Sequence, residues 1–207
     1  MKILIIGDGG HARMVASILV AMENMEPLGY VSGDGTAGVL GPLSLPVLGG
    51  DDCVSTVDHD GVIVAVGDNH VRQRLFDQLS ASGEILVNAV HPSIIMDPDV
   101  ELGTGCVICP GVILNTGAVI GHNVILNTGC VVEHECSIGS HIHVAPGVKL
   151  AGNVTVNNGA FVGLGACIIQ GITIGSDSVV GAGAVVIDDV ASNSTVVGIP
   201  AKTKKDV

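Results

Sequence analysis

Large rings are almost missing from this chain. It has no Trp, two Phe and one Tyr in 207 residues, although 47% of its residues are hydrophobic. Aromatics normally carry much of a globular core, so this interior has to be built from Val, Ile, Leu, Ala and Cys. An interior only one or two aliphatic side chains wide accounts for the missing rings. Positive charge is scarce as well. Lys2, Arg13, Arg72, Arg74, Lys149, Lys202, Lys204 and Lys205 are the only basic residues, and the formal net charge is −12. Such a chain repels nucleic acid and anionic membrane surfaces. It can still hold a small phosphorylated ligand through backbone N–H groups and a few local cations. Long apolar runs are missing too: nothing approaches the roughly 18 residues of a membrane span. Lys2–Ile6 runs straight into a glycine turn and does not read as a secretory leader. The expectation is a soluble, cytoplasmic protein.

Six cysteines, Cys53, Cys106, Cys109, Cys130, Cys136 and Cys167, fit reduced thiols. Cys106-x-x-Cys109 admits a zinc or redox reading, but no second pair of ligands stands at the right spacing. Small buried core residues are the alternative, and no metal is expected. Lys202-Thr-Lys-Lys205 is the one basic cluster and, on charge alone, a solvated tail.

What the chain does contain is a repeat. Every sixth residue from Leu102 to Val186 is Leu, Ile or Val, fifteen in a row. Every sixth residue from Cys106 to Val190 is small or aliphatic. A helix of period 3.6 cannot hold a period of six on one side, and a flat strand would not need the glycines. The solution is a solenoid of short strands in which three hexads close one triangular coil and residues 18 apart stack. Residues 102–191 then form five uninterrupted coils.

Residues 1–90 read as a separate α/β domain. Ile3–Ile6 predicts a buried strand, residues 11–23 a helix, Leu28–Val31 a second strand and Gly61–Val66 a third. A helix through Leu79 follows, then a strand at Ile85–Val90. This alternation predicts a small parallel sheet, half of a doubly wound nucleotide-binding fold. Gly7-x-Gly9-Gly10-x-Ala12 fits a phosphate-binding turn loosely, and Asp34 stands near the place of a ribose-binding carboxylate. A nucleotide or nucleotide sugar, NAD, and a purely structural glycine turn all remain open. His91-Pro92-Ser93 marks the junction with residues 91–207.

Glu133-His134-Glu135 interrupts the coil pattern at a turn. A neutral imidazole there can take a proton from an attacking amine or hydroxyl, and a neighbouring carboxylate can fix its tautomer. A solvated His in an acidic turn is the alternative. Stacking arithmetic puts Gly152 one coil above His134, where a bare N–H could face an oxyanion.

Several segments together carry a resemblance. They are Gly9-Gly10-His11, Ala65-Val-Gly-Asp-Asn-x-x-Arg72, Asn88-Ala-Val-His-Pro-Ser93, Ile125–Gly139 with its Val-Glu-His-Glu core, and Val197-Gly-Ile-Pro-Ala-Lys202. The chain resembles the sialic acid O-acetyltransferase (NeuD-like) family of hexapeptide-repeat sugar acetyltransferases, and within it the N-acetyltransferases of UDP- and GDP-linked 4-amino sugars. That resemblance implies a left-handed parallel β-helix, a homotrimer with sites between neighbouring prisms, and acetyl-CoA as co-substrate. It also implies roles. His134 would be the general base, Glu135 would raise its basicity, and Asn127 would line the acceptor site. His143 and the Gly152 N–H would meet the thioester end of acetyl-CoA, Leu164 and Ala182 the pantetheine, and the segment ending in Lys202 the nucleotide end. Gly9, Gly10, His11, Gly67 and His70 would hold the sugar nucleotide. Some relatives carry two acidic residues after the second strand. Here the segment is Val31-Ser-Gly-Asp34, so only Asp34 can serve.

The expected activity is acetyl transfer to the 4-amino group of a nucleotide-linked 4-amino-4,6-dideoxy sugar, in the synthesis of a surface polysaccharide or glycan. Sialic acid O-acetylation and a non-catalytic nucleotide-sugar-binding protein stand as alternatives.

Overall fold

A computed structural model describes residues 1–33, 37, 38 and 40–204 of the chain. Asp34, the expected ribose-binding carboxylate, lies outside the described residues. The chain divides into two compact units, Met1–Pro92 and Ser93–Val207.

The first unit is built on a four-stranded parallel sheet of β1 (Lys2–Ile6), β2 (Glu26–Val31), β3 (Val47–Gly49) and β4 (Gly61–Val64), in the order β3-β2-β1-β4. Two helices accompany it, α1 (Gly10–Ala21) and α2 (Asn69–Ala81). Strands covered on both faces read as continuous aliphatic runs, and Ile3-Leu-Ile-Ile6 is such a run. Leu4 and Ile6 pack with Val31, Val62 and the α2 residues Leu75 and Leu79. Ile3 and Ile5 point to the opposite face by the strand's period of two and are equally buried. On α1, Val15, Ile18 and Leu19 form the buried stripe, each contributing about 1.5–3 kcal/mol of burial. Asp68 caps α2 by accepting the Val71 N–H at 2.9 Å.

Two details differ from the sequence reading. Val47–Gly49 adds an edge strand that pairs with Tyr30 and Val31; three residues are too short for a periodicity to show. The strand predicted over Ile85–Val90 is reduced to one parallel bridge, Val62 with Leu86, and the two-residue strand Ala89–Val90.

The second unit is a prism of two-residue parallel strands at six-residue intervals, paired at a separation of 18, as in Val107↔Ile125↔His143↔Phe161↔Val179. Three such ladders form its faces. The first runs through Val119, Ser137 and Thr155, the second through Ile125, His143 and Phe161, and the third through Val131, Lys149 and Cys167. Both sixth-residue columns point inward. Leu114, Leu126, Val132, Val144 and Val162 are buried in one, and Val112, Val124, Cys130, Val148 and Ala166 in the other. Cys106 and Cys109 belong to this interior, and burial pushes the Cys109 thiol up to about 12. At every corner from residue 105 to residue 183 one residue adopts the left-handed conformation. It is Gly at 105, 111, 117, 129, 147, 159, 165, 171 and 183, and Asn, Glu, His or Asp at 123, 135, 141, 153 and 177.

Within the second unit the stack begins one hexad before the predicted start, at Ile95–Met96 paired with Ile113–Leu114. It tightens at the other end, where Val179 pairs with Thr195 and Val180 with Val196. There Lys202–Thr203 folds back antiparallel on Val196–Val197. No helix among the described residues is long and apolar enough to cross a membrane.

Candidate active site

His134 stands at the corner between the third and first faces, after strand Val131–Val132 and before Ser137–Ile138. Its side chain is 52% exposed, as expected of a turn residue outside the aliphatic interior. Nδ1 lies 3.2 Å from Oε2 of Glu135. A carboxylate only accepts, so Nδ1 carries the hydrogen, and in the neutral ring the lone pair is on Nε2. The backbone makes this contact between consecutive residues possible: Glu135 has φ 58°, which swings its side chain back toward its neighbour. Non-glycine residues rarely take that conformation, and strained positions of this kind concentrate at functional sites. Glu133, the other flanking acid, is occupied elsewhere, accepting from Asn115 Nδ2 at 2.8 Å.

One coil along, Gly152 lies against the imidazole. A Cβ at that position would come within 2.5 Å of both Cε1 and Nε2 of His134. The N–H at equivalent corner positions is often taken by a side chain of the next coil, as His122 N–H is by Ser140 Oγ at 3.0 Å and Ser140 N–H by Asn158 Oδ1 at 2.8 Å. Gly152 N–H has no such acceptor among the described residues. Asn153, the next residue, donates its backbone N–H to the His134 carbonyl at 3.0 Å and its amide to Glu135 Oε2 at 3.3 Å. Sequence reading missed Asn153, although 135 + 18 names it by the same stacking arithmetic that pairs His134 with Gly152.

A second cluster occupies the corner between the second and third faces. Asn127 Nδ2 is 3.2 Å from His143 Nε2, and Asn127 Oδ1 accepts the Thr128 N–H at 2.8 Å. The His143 ring meets Phe161 edge-on at 5.3 Å. Leu164 and Ala182 stack at this corner, and the Gly183 N–H bonds to the Leu164 carbonyl at 2.7 Å; the Leu164 side chain is exposed. Of the predicted prism residues, the structure thus gathers His134, Glu135 and Gly152 at one corner and Asn127, His143, Leu164 and Ala182 at another. Lys202 lies at the end of the second-face ladder, paired with Val197, and its ammonium reaches Asp188 at 3.3 Å.

In the first unit a cleft of about 430 Å³ opens over the carboxyl ends of β1 and β4. Gly9, Gly10, His11 and Gly67 line it, together with Asp8 and Arg74. Among the described residues, nothing beyond the chain neighbours lies within 4 Å of where side chains at Gly9, Gly10 and Gly67 would stand. Backbone N–H groups at the start of α1 are therefore accessible to an anion, which a helix N-terminus favours. Buried Arg72 shapes the other wall, donating to the Val66 and Gly67 carbonyls at 3.3 Å and to Asn69 Oδ1 at 2.9 Å. Ser32 donates to Asp8 at 2.8 Å. His70 is exposed and is not part of the cleft lining. Arg74 is the cation that sequence reading left unassigned; its signal is its place one helical turn after Val71, on the face of α2 that lines the cleft.

Comparison with known proteins bears on both units. Residues 2–79 match the family described as the PglD N-terminal domain. Over the whole chain the fold matches a histidine-to-alanine mutant of GDP-perosamine N-acetyltransferase from Caulobacter crescentus, solved in complex with CoA and GDP-perosamine. That match has a TM-score of 0.94 and 40% identity, covering 100% of this chain and 98% of the other. The acetyltransferase domain of PglB from Neisseria gonorrhoeae, in complex with acetyl coenzyme A, matches with a TM-score of 0.93 and 32% identity over 98% of each chain. The curated GDP-perosamine N-acetyltransferase of Escherichia coli O157:H7 is 33% identical over 107 residues, 52% of this chain and 48% of that protein. The chain thus matches about half the length of this curated relative. A small parallel α/β unit followed by a left-handed parallel β-helix is the fold class.

Proposed function

Because this chain belongs to the PglD-like family of hexapeptide-repeat acetyltransferases, we propose that it transfers the acetyl group of acetyl-CoA to the 4-amino group of a UDP- or GDP-linked 4-amino-4,6-dideoxy sugar. One observation carries the reading: an imidazole held by an adjacent carboxylate, with Nε2 beside a glycine whose N–H has no acceptor among the described residues. The complexes of the similar proteins with CoA and GDP-perosamine support the choice of substrates.

In the proposed mechanism the neutral amine attacks the thioester carbonyl, forming a C–N bond. His134 Nε2 takes the amine proton, a contribution of about 10²–10⁴ in rate for a well-placed base. Glu135 steadies the imidazolium. The Gly152 N–H stabilises the tetrahedral oxyanion. The C–S bond then breaks, and the CoA thiolate leaves and is protonated through His134. Asn127 and His143 line the acceptor and thioester positions, Leu164 and Ala182 the pantetheine path, and Lys202 the nucleotide end of CoA. Residues 1–90 hold the nucleotide, its phosphates at Gly9, Gly10, His11 and Gly67 with Arg74 beside them.

Within one prism, His134 and the Asn127–His143 pair occupy different corners. A homotrimer that sets one corner against the other corner of a neighbour would complete the site, and we propose that assembly. The proposed substrates, acetyl-CoA and a sugar nucleotide, support a cytoplasmic location.

The test is thiol release from acetyl-CoA across UDP-, GDP- and dTDP-linked amino sugars and free sialic acids, with and without His134→Ala. Release only with a nucleotide-linked amino sugar, and its loss in the variant, is expected. Turnover with sialic acid instead, or an undiminished His134→Ala enzyme, would overturn the reading.

A further inference from the structure

We infer that Asn153 is a positioning residue for the His134–Glu135 pair; the inference rests on the functional reading above. The Glu135 carboxylate is largely exposed, and a long flexible side chain on a turn has many rotamers that leave the imidazole. Two donors converge on one of its oxygens: His134 Nδ1 at 3.2 Å and the Asn153 amide at 3.3 Å. With Oε2 shared, Glu135 cannot swing toward solvent without losing both hydrogen bonds.

The backbone supports the same assignment. Glu135 and Asn153 occupy the left-handed corner position of successive coils, each with φ 58°. Most corners of the prism place Gly there. Asn tolerates this conformation better than most side chains, and at 153 it also brings its amide over the carboxylate below. Its own N–H fixes the His134 carbonyl at 3.0 Å, and the preceding Gly152 leaves room for the ring. The dipeptide Gly152-Asn153 therefore acts as one clamp, with a space for the imidazole and two donors that orient residues 134 and 135. Asn153 itself takes no proton and touches no reacting atom.

The test uses Asn153→Gly, which keeps the corner conformation that glycine adopts elsewhere in the prism, and Asn153→Asp, which keeps the shape but cannot donate. Both are measured in the full chain. In both variants kcat should fall about tenfold while both KM values stay within about twofold, because orientation is lost and binding is not. Imidazole ¹⁵N shifts, assigned with His134→Ala, should show the Nδ1–H tautomer in the wild type and a mixture in both variants. A wild-type tautomer in Asn153→Gly, or a kcat within twofold of wild type, would overturn the inference. A chain that transfers no acetyl group to any amino-sugar nucleotide would instead sink the functional reading, and the tautomer comparison would still decide the part played by Asn153.

Discussion

The His134 ring fills the space where a side chain of Gly152 would stand, since a Cβ there would come within 2.5 Å of two ring atoms. The ring end of a half-exposed side chain can move away cheaply. Gly152→Ala is therefore expected to fold normally, with stability changed by less than about 1 kcal/mol. Displacing the imidazole should nevertheless lower kcat by about 100-fold. Thermal melting and steady-state thiol release measure the two effects, and a variant with near-normal kcat would separate the ring's position from the chemistry.

Glu135 presents the complementary case. A non-glycine residue at φ 58° costs about 1–2 kcal/mol, of which the extra chain entropy of glycine cancels a part. Glu135→Gly should accordingly stabilise the prism by about 0.5–1 kcal/mol while lowering kcat by about 10- to 100-fold. Denaturant titration beside kinetics checks both signs. A less stable variant would show that the corner is relaxed with Glu in place.

The cleft of the first unit can be tested without touching the prism. Among the described residues, no atom beyond its chain neighbours lies within 4 Å of a Cβ built at Gly9, whose φ of −79° suits any residue. Gly9→Val should leave melting unchanged but raise KM for the sugar nucleotide about tenfold or more, with KM for acetyl-CoA unaltered. Equal effects on the two substrates would argue against a nucleotide at the start of α1.

A pH dependence is built into the same unit. His59 Nδ1 faces the Val57 carbonyl at 2.8 Å and Nε2 faces Glu84 Oε2 at 2.9 Å. Both partners accept, so the arrangement is complete when both nitrogens carry hydrogen. Burial works against the charge, but the Val57 carbonyl and the Glu84 carboxylate, with Asp58 nearby, outweigh it and hold the imidazole above its usual range. A raised folded-state value gives stability that is full below the unfolded value near ~6.5 and is lost as pH climbs through the folded one. The melting-temperature gap between wild type and His59→Gln should thus be widest near about pH 5.5 and close toward about pH 8.5. A constant gap would refute the assignment.

Much of the site is legible in the sequence because a solenoid converts chain distance into spatial stacking. Adding 18 to a residue number names its neighbour in the next coil, which pairs His134 with Gly152 and Leu164 with Ala182. Which of Glu133 and Glu135 serves the histidine is not legible in this way: both flank it, and the choice is made by a left-handed φ at 135 and by Asn115 engaging 133. The first unit is harder to read. Its long aliphatic strands show plainly, but Val47–Gly49 is too brief for a pattern, and Arg74 reaches the cleft through the rotational phase of α2.

The fold-back of Lys202–Thr203 onto Val196–Val197 bears on how the molecule behaves in a crowded solution. A stack of parallel rungs ends in unpaired peptide groups, an invitation for another copy to dock end to end and grow a fibre. A short antiparallel strand at the end of one of the three faces occupies that ladder's groups with a reversed partner and puts a lysine where its next strand would begin.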